Sequence, residues 1–143
     1  MPTITGVSPV ALSVRNLDSA ETWYRGLFDA ALVLSGRNEV LGFDYRYLLV
    51  PGAELLIGLI RHDHAKDDFD HERPGLDHLS FEVADRNSLE QWLIHLDKLG
   101  VDHSGIVEQP TGDALPLRGP DELQLEFYVP SPDLPWIQGR VAR

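Results

Sequence analysis

The chain repeats itself, and that constrains its fold more than any single motif does. Laying PVALSVRNLDSAETW (9–23) over HLSFEVADRNSLEQW (78–92), a displacement of 69 residues, matches Val14 with Val83, Ser19 with Ser88, Glu21 with Glu90 and Trp23 with Trp92. Further on, ELLIGLI (54–60) lies over ELQLEFY (122–128) at a displacement of 68, so Glu54 meets Glu122, Ile57 meets Leu125 and Leu59 meets Phe127. Two blocks in the same order at nearly the same displacement imply duplication with one deletion. Each half must therefore carry the same elements in the same order.

Those elements read as strand, helix and three strands. In the first half they fall near 5–14, 19–28, 31–35, 43–50 and 54–60. Asp18 is the expected helix cap, with Glu21 completing a capping box, and Trp23, Leu27 and Phe28 form the apolar stripe. The second half opens with GLDHLSFEV (75–83), in which Leu79, Phe81 and Val83 alternate with His78, Ser80 and Glu82. A helix over 87–99 presents Leu89, Trp92, Leu93 and Leu96 and stops at Gly100, and strands follow near 103–108, 114–118 and 123–129. The boundaries are thus a first module over 5–60, a polar linker or lid over 61–74, a second module over 75–130 and a proline-rich tail over 131–143 that runs over the surface. Together they make one domain over 1–143.

Composition excludes several functions. With 12 basic and 23 acidic residues the chain carries a net charge of −11, which disfavours nucleic acid and anionic membrane surfaces as partners. There is no cysteine, so disulfides, thiolate nucleophiles and cysteine-ligated zinc are excluded. The N-terminal stretch has neither a basic region nor a continuous apolar one, and no apolar run approaches the ~20 residues that span a bilayer. A cytoplasmic protein is the expectation.

An incomplete four-stranded sheet with one helix on its outer side needs a second copy to complete it. The expected fold class is α+β: two βαβββ modules forming a curved, cup-shaped, eight-stranded mixed sheet with helices on the outer face. Alternation then sends Leu79, Phe81, Leu125 and Phe127 towards the helix, and His78, Ser80, Gln124 and Glu126 into the cup. Phe43, Tyr45 and Tyr47 share the opposite strand face from Asp44 and Arg46; either face suits the cup or the helix side.

VALSVRNLDSAETWYRGLF, GLDHLSFEVADRNSLEQWLIHLDKLGV and RGPDELQLEFYVP resemble the opening and closing elements of the vicinal oxygen chelate superfamily, which includes glyoxalases, bleomycin and fosfomycin resistance proteins and extradiol dioxygenases. The likeness covers about 5–130. It implies a small-molecule ligand or substrate, a homodimer and, in metal-dependent members, a divalent ion (zinc, iron, manganese or nickel) held by a histidine from each module's first strand and a glutamate from its last. His78 and Glu126 match the second module's ligand positions and are also the candidate catalytic pair. Pro9 and Gly58 occupy the first module's positions, and neither side chain binds a metal. His62 and His64 are candidates for a third ligand; Arg46, Gly58, Ser80 and Gln124 are candidates for the substrate pocket. The resemblance implies a metal-dependent lyase, isomerase or dioxygenase acting on a small oxygenated molecule. The alternative it leaves open is a metal-free protein that binds and sequesters a drug or aromatic metabolite.

Overall fold

Apolar residues at alternate positions need a covered face, and in each half the covering element is the helix that follows the first strand. A computed structural model describes residues 1–141, with the backbone alone at Val141. Two compact units part between Asp67 and Asp68.

In the first unit, β1 (Val10–Ser13), α1 (Leu17–Phe28), β2 (Ala31–Asn38), β3 (Phe43–Val50) and β4 (Leu55–His62) form a four-stranded sheet of order β1-β4-β3-β2 and its helix. The β1 strand runs parallel to β4, and the other pairs are antiparallel. It is shorter than the 5–14 expected from sequence because its ladder pairs only Val10–Ser13 with Ile57–Ile60. Leu12, Leu48, Ile57 and Leu59 point to the helix side and are buried beneath Ala20, Tyr24, Leu27 and Phe28.

The helix differs from expectation in two ways. Its cap is Asn16, whose Oδ1 accepts from the Ser19 N–H at 3.0 Å, whereas Asp18 lies inside the first turn. Starting at Leu17 adds that side chain to the buried stripe 17, 20, 24, 27, 28, which fits helical periodicity. The same phase makes Tyr24 the central buried aromatic; Trp23 is half-buried and meets the Tyr24 ring edge-on at 4.8 Å.

The second unit repeats the plan with β5 (Leu79–Glu82), α2 (Arg86–Leu99), β6 (Val107–Gln109), β7 (Gly112–Arg118) and β8 (Gln124–Pro130), in sheet order β5-β8-β7-β6. Asp85 caps α2, and Gly100 ends it with φ at 67°, the left-handed geometry a glycine tolerates. Trp92 stacks on Phe127 with centroids 4.0 Å apart and planes 14° from parallel, closing the core above Leu115 and Leu125. The expected strand over 103–108 is confined to Val107–Gln109, with His103 making an isolated bridge to Leu117. The tail contains a short helix: α3 (Pro135–Val141) opens on Pro135 and is tied back by Arg140 to Glu82, while Trp136 stays exposed.

The repeat holds at the level of register. Ala11 opposes Gly58 as Ser80 opposes Glu126, and the Val14 N–H donates to Ile60 O as Val83 N–H does to Tyr128 O. Each unit is thus a βαβββ module, and the fold class is α+β.

Candidate functional site

Parallel pairing of β5 with β8 sets Ser80 opposite Glu126, and the residue before β5, His78, reaches the same face. The alternate residues Leu125 and Phe127 are buried beneath α2, so Glu126 and Gln124 point away from the helix. The Ser80 hydroxyl donates to Glu126 Oε1 at 2.5 Å, and His78 Nε2 stands 3.4 Å from that oxygen. At that separation the imidazole and the carboxylate are neighbours rather than a tight hydrogen-bonded pair.

The other ring nitrogen is engaged. His78 Nδ1 lies 2.6 Å from Asp77 Oδ1, so the Nδ1–H donates to that carboxylate and Nε2 faces Glu126. Gln124 Nε2 donates to the Asp77 carbonyl at 3.0 Å and holds the approach to β5 in place. His78, Gln124 and Glu126 line an open cavity of about 440 Å³, together with His103, Pro116 and Arg118. His103 is committed within the unit: Nε2 pairs with Asp97 at 2.8 Å, and Nδ1 accepts from the Gly105 N–H at 3.1 Å.

Two donors at about 2.1 Å from a tetrahedral ion lie about 3.4 Å apart, so His78 and Glu126 are spaced as two ligands of one ion would be. Among the described residues, however, no group of three His, Asp or Glu side chains converges as a metal site. A catalytic zinc centre keeps three protein ligands, so the residues present do not make a self-sufficient set for a divalent ion.

The corresponding positions of the first unit carry no donor. A Cβ on Gly58 would stand 2.9 Å from Tyr47 Cε1 and 3.3 Å from the Ala11 Cβ. Gly58, a candidate for the substrate pocket, is covered by the Tyr47 ring. Phe43, Tyr45, Tyr47 and His62 share this non-helical face, with successive edge-to-face contacts of 6.3 Å (Phe43–Tyr45), 5.8 Å (Tyr45–Tyr47) and 5.5 Å (Phe43–His62). His62 ends β4 against Phe43, and His64 lies in the exposed turn beyond it.

Arg46, a candidate for the substrate pocket, does not line the cavity of the second unit. It projects from the face opposite Tyr47 and Gly58 and pairs with Asp18, at 2.6 Å, and with Glu21 on α1, so it joins strand to helix. Both carboxylates raise its pKa, with the Asp18 hydrogen bond leading. Beside it, Arg61 and Arg37 share Asp44, and the Arg61 hydrogen bond holds that carboxyl below the ordinary range. Asp77 and Arg118 escaped the sequence reading. Adjacency in GLDH was a signal for the first; for Arg118, only the strand register places it beside Gln124.

A duplicated βαβββ module with a histidine and a glutamate on one face of the second sheet is the arrangement of the superfamily that the sequence resembles. The family model for the Glyoxalase/Bleomycin resistance protein/Dioxygenase superfamily matches residues 6–127, and this chain belongs to that superfamily. It is similar to a glyoxylase/bleomycin resistance protein/dioxygenase domain from Frankia sp. EAN1pec, with 35% identity, a TM-score of 0.81, and coverage of 90% of this chain and 100% of that one. A glyoxalase family protein from Enterococcus faecalis is 16% identical, with a TM-score of 0.74 and coverage of 87% and 97%. The fosfomycin resistance protein FosX from Listeria monocytogenes, in complex with Mn(II) and sulfate, is 18% identical, with a TM-score of 0.65 and coverage of 90% and 95%. These last two likenesses speak for the fold. No curated protein matches the chain. Among the described residues, no helix is long and apolar enough to cross a membrane.

Proposed function

We propose that this chain is an enzyme of the superfamily, of lyase, isomerase or dioxygenase type, that takes a small oxygenated molecule into the cavity of the second unit. The single observation that carries this reading is the Asp77–His78–Glu126–Ser80 string. A protein that only sequesters its ligand has no need of an imidazole whose proton position is fixed. Here the Nδ1–H donates to Asp77, which sets Nε2 as the ring atom that meets a ligand C–H or O–H proton. Glu126, oriented by Ser80, is placed to stabilise the imidazolium that forms or to exchange a proton with the neighbouring ligand oxygen. Each role is performed by this chain's own side chains, and no step is routed through an ion.

A second reading, a metal-free sequestering protein, draws on the first unit. Its ligand-equivalent positions are Pro9 and Gly58, and its non-helical face is aromatic. Such a face suits a planar ligand. For either reading, a homodimer and a cytoplasmic setting remain proposals.

One experiment separates the readings. Epoxides, hemithioacetals, catechols and 2-oxo acids are screened for turnover, with metal content measured on the same samples and ligand affinity measured for wild type, His78→Ala and Glu126→Gln. The enzyme reading expects turnover that falls about 100-fold or more in both variants while ligand affinity stays within tenfold. Tight binding without turnover, unchanged in both variants, transfers the assignment to sequestration. A stoichiometric divalent ion that is lost in His78→Ala and Glu126→Gln replaces the metal-independent step.

A further inference from the structure

The cavity wall contains one arginine, Arg118, whose charge no other described residue answers. Arg118 is the last residue of β7 and opposes Gln124, one alternation along from Pro116 opposite Glu126. It therefore shares the face of Gln124 and Glu126, while Leu117 and Leu125 between them are buried on the other side. The Gly119 N–H donates to Leu123 O at 2.9 Å and closes the turn behind it, which fixes where the side chain leaves the sheet.

Carboxylates are not scarce in a chain with 23 acidic and 12 basic residues, and the other described arginines are engaged. Arg25, Arg37, Arg46, Arg61, Arg73, Arg86 and Arg140 all form ion pairs, and Arg15 has a partner as well. Among the described residues, Arg118 forms neither an ion pair nor a hydrogen bond through its guanidinium, although it lines the same cavity as the Glu126 carboxylate. That carboxylate is held instead by Ser80 and faces His78.

Building on the assignment of this cavity as the ligand site, we propose that Arg118 is a specificity-determining residue that selects ligands bearing an oxyanion, a carboxylate or a phosphonate. The guanidinium fork matches two oxygens of either group, a geometry that lysine does not reproduce. Arg118 and His78 flank Gln124 in one row, two strand spacings of about 4.8 Å apart, so a short ligand with its oxyanion at Arg118 extends its neighbouring hydroxyl or carbonyl towards His78 Nε2. The ligand's own charge is then answered by Arg118 and kept a strand row away from Glu126. The class this selects is a short acid with an oxygen function next to the acidic group.

The test compares matched pairs. Pyruvate, L-lactate and mandelate are titrated against pyruvamide, lactamide and mandelamide, and hydroxymethylphosphonate against its dimethyl ester, with the His78 ring nitrogens observed by NMR. The acids are expected to bind wild type about tenfold or more tightly than their neutral partners, in the carboxylate series, the phosphonate series or both. The preference vanishes in Arg118→Gln and survives in part in Arg118→Lys, with the thermal midpoint of each variant confirming the fold. Equal binding of acids and neutral partners, or a preference kept in Arg118→Gln, overturns the inference and leaves the cavity assignment standing. If no compound in either series shifts the His78 resonances, the cavity assignment falls and takes the role of Arg118 with it.

Discussion

Gly58→Ala is the sharpest probe of why the first unit has no glutamate where the second has Glu126. The added Cβ would lie 2.9 Å from Tyr47 Cε1 and 3.3 Å from the Ala11 Cβ, against an ordinary carbon contact of about 3.5–4.0 Å. Overpacking of this kind costs about 1–3 kcal/mol, and the gain from removing a glycine inside a strand returns about 0.5–1 kcal/mol. The net expectation is a loss centred on about 1 kcal/mol and at most about 2.5 kcal/mol, a fall of several tenths to about 1 M in the urea midpoint. Equilibrium urea unfolding followed by circular dichroism measures it. The Tyr47 ring is the obstacle, so Gly58→Ala in a Tyr47→Ala background is expected to be neutral or stabilising, with a coupling of about 1 kcal/mol. A Gly58→Ala protein as stable as wild type, or one with the same penalty in both backgrounds, would refute the claim that an aromatic ring, rather than open space, stands at this position.

Removing the Phe127 side chain, which is 1% exposed and stacked on Trp92, is expected to cost about 3–5 kcal/mol in the same assay; a loss below about 1 kcal/mol contradicts the packing described for α2. Asn16→Ala removes the α1 cap and should cost about 1 kcal/mol, whereas Asp18→Ala leaves the Asn16 cap in place. Asp85 is held below the ordinary carboxylate range by hydrogen bonds from Ser88, the backbone N–H first, and Asp63 by hydrogen bonds from the Arg37 guanidinium. A lowered native pKa contributes stability that is complete above the unfolded value, near about 3.9, and is lost as pH falls through the native one. The urea midpoint should therefore drop below about pH 4, and it should drop less in Asp85→Asn, which keeps a cap but cannot titrate. An equal drop in both proteins rejects the Asp85 contribution.

Much of this molecule can be read along the chain. Duplication required two copies of one plan, and alternation in HLSFEV and ELQLEFY assigns Ser80, Gln124 and Glu126 to one face. These are local periodicities, set by a two-residue strand repeat and a helical turn, and they survive folding unchanged. The phase of α1 was less legible because Asn16 and Asp18 are both competent caps, and Trp23 and Tyr24 are both apolar enough for a core. Burial of Leu17 and Tyr24 under the sheet settled the choice. The candidate site divides in the same way. The sequence by itself determined which residue types occur at the ligand positions of each module: His78 and Glu126 in one, Pro9 and Gly58 in the other. Only tertiary structure decided that Arg46 turns to α1, that Tyr47 covers Gly58, that Asp77 orients His78 and that Arg118 has no ion-pair partner among the described residues. Those outcomes depend on pairing between strands far apart in the chain, and an ion pair or an aromatic contact across such a ladder leaves no periodic trace in the sequence.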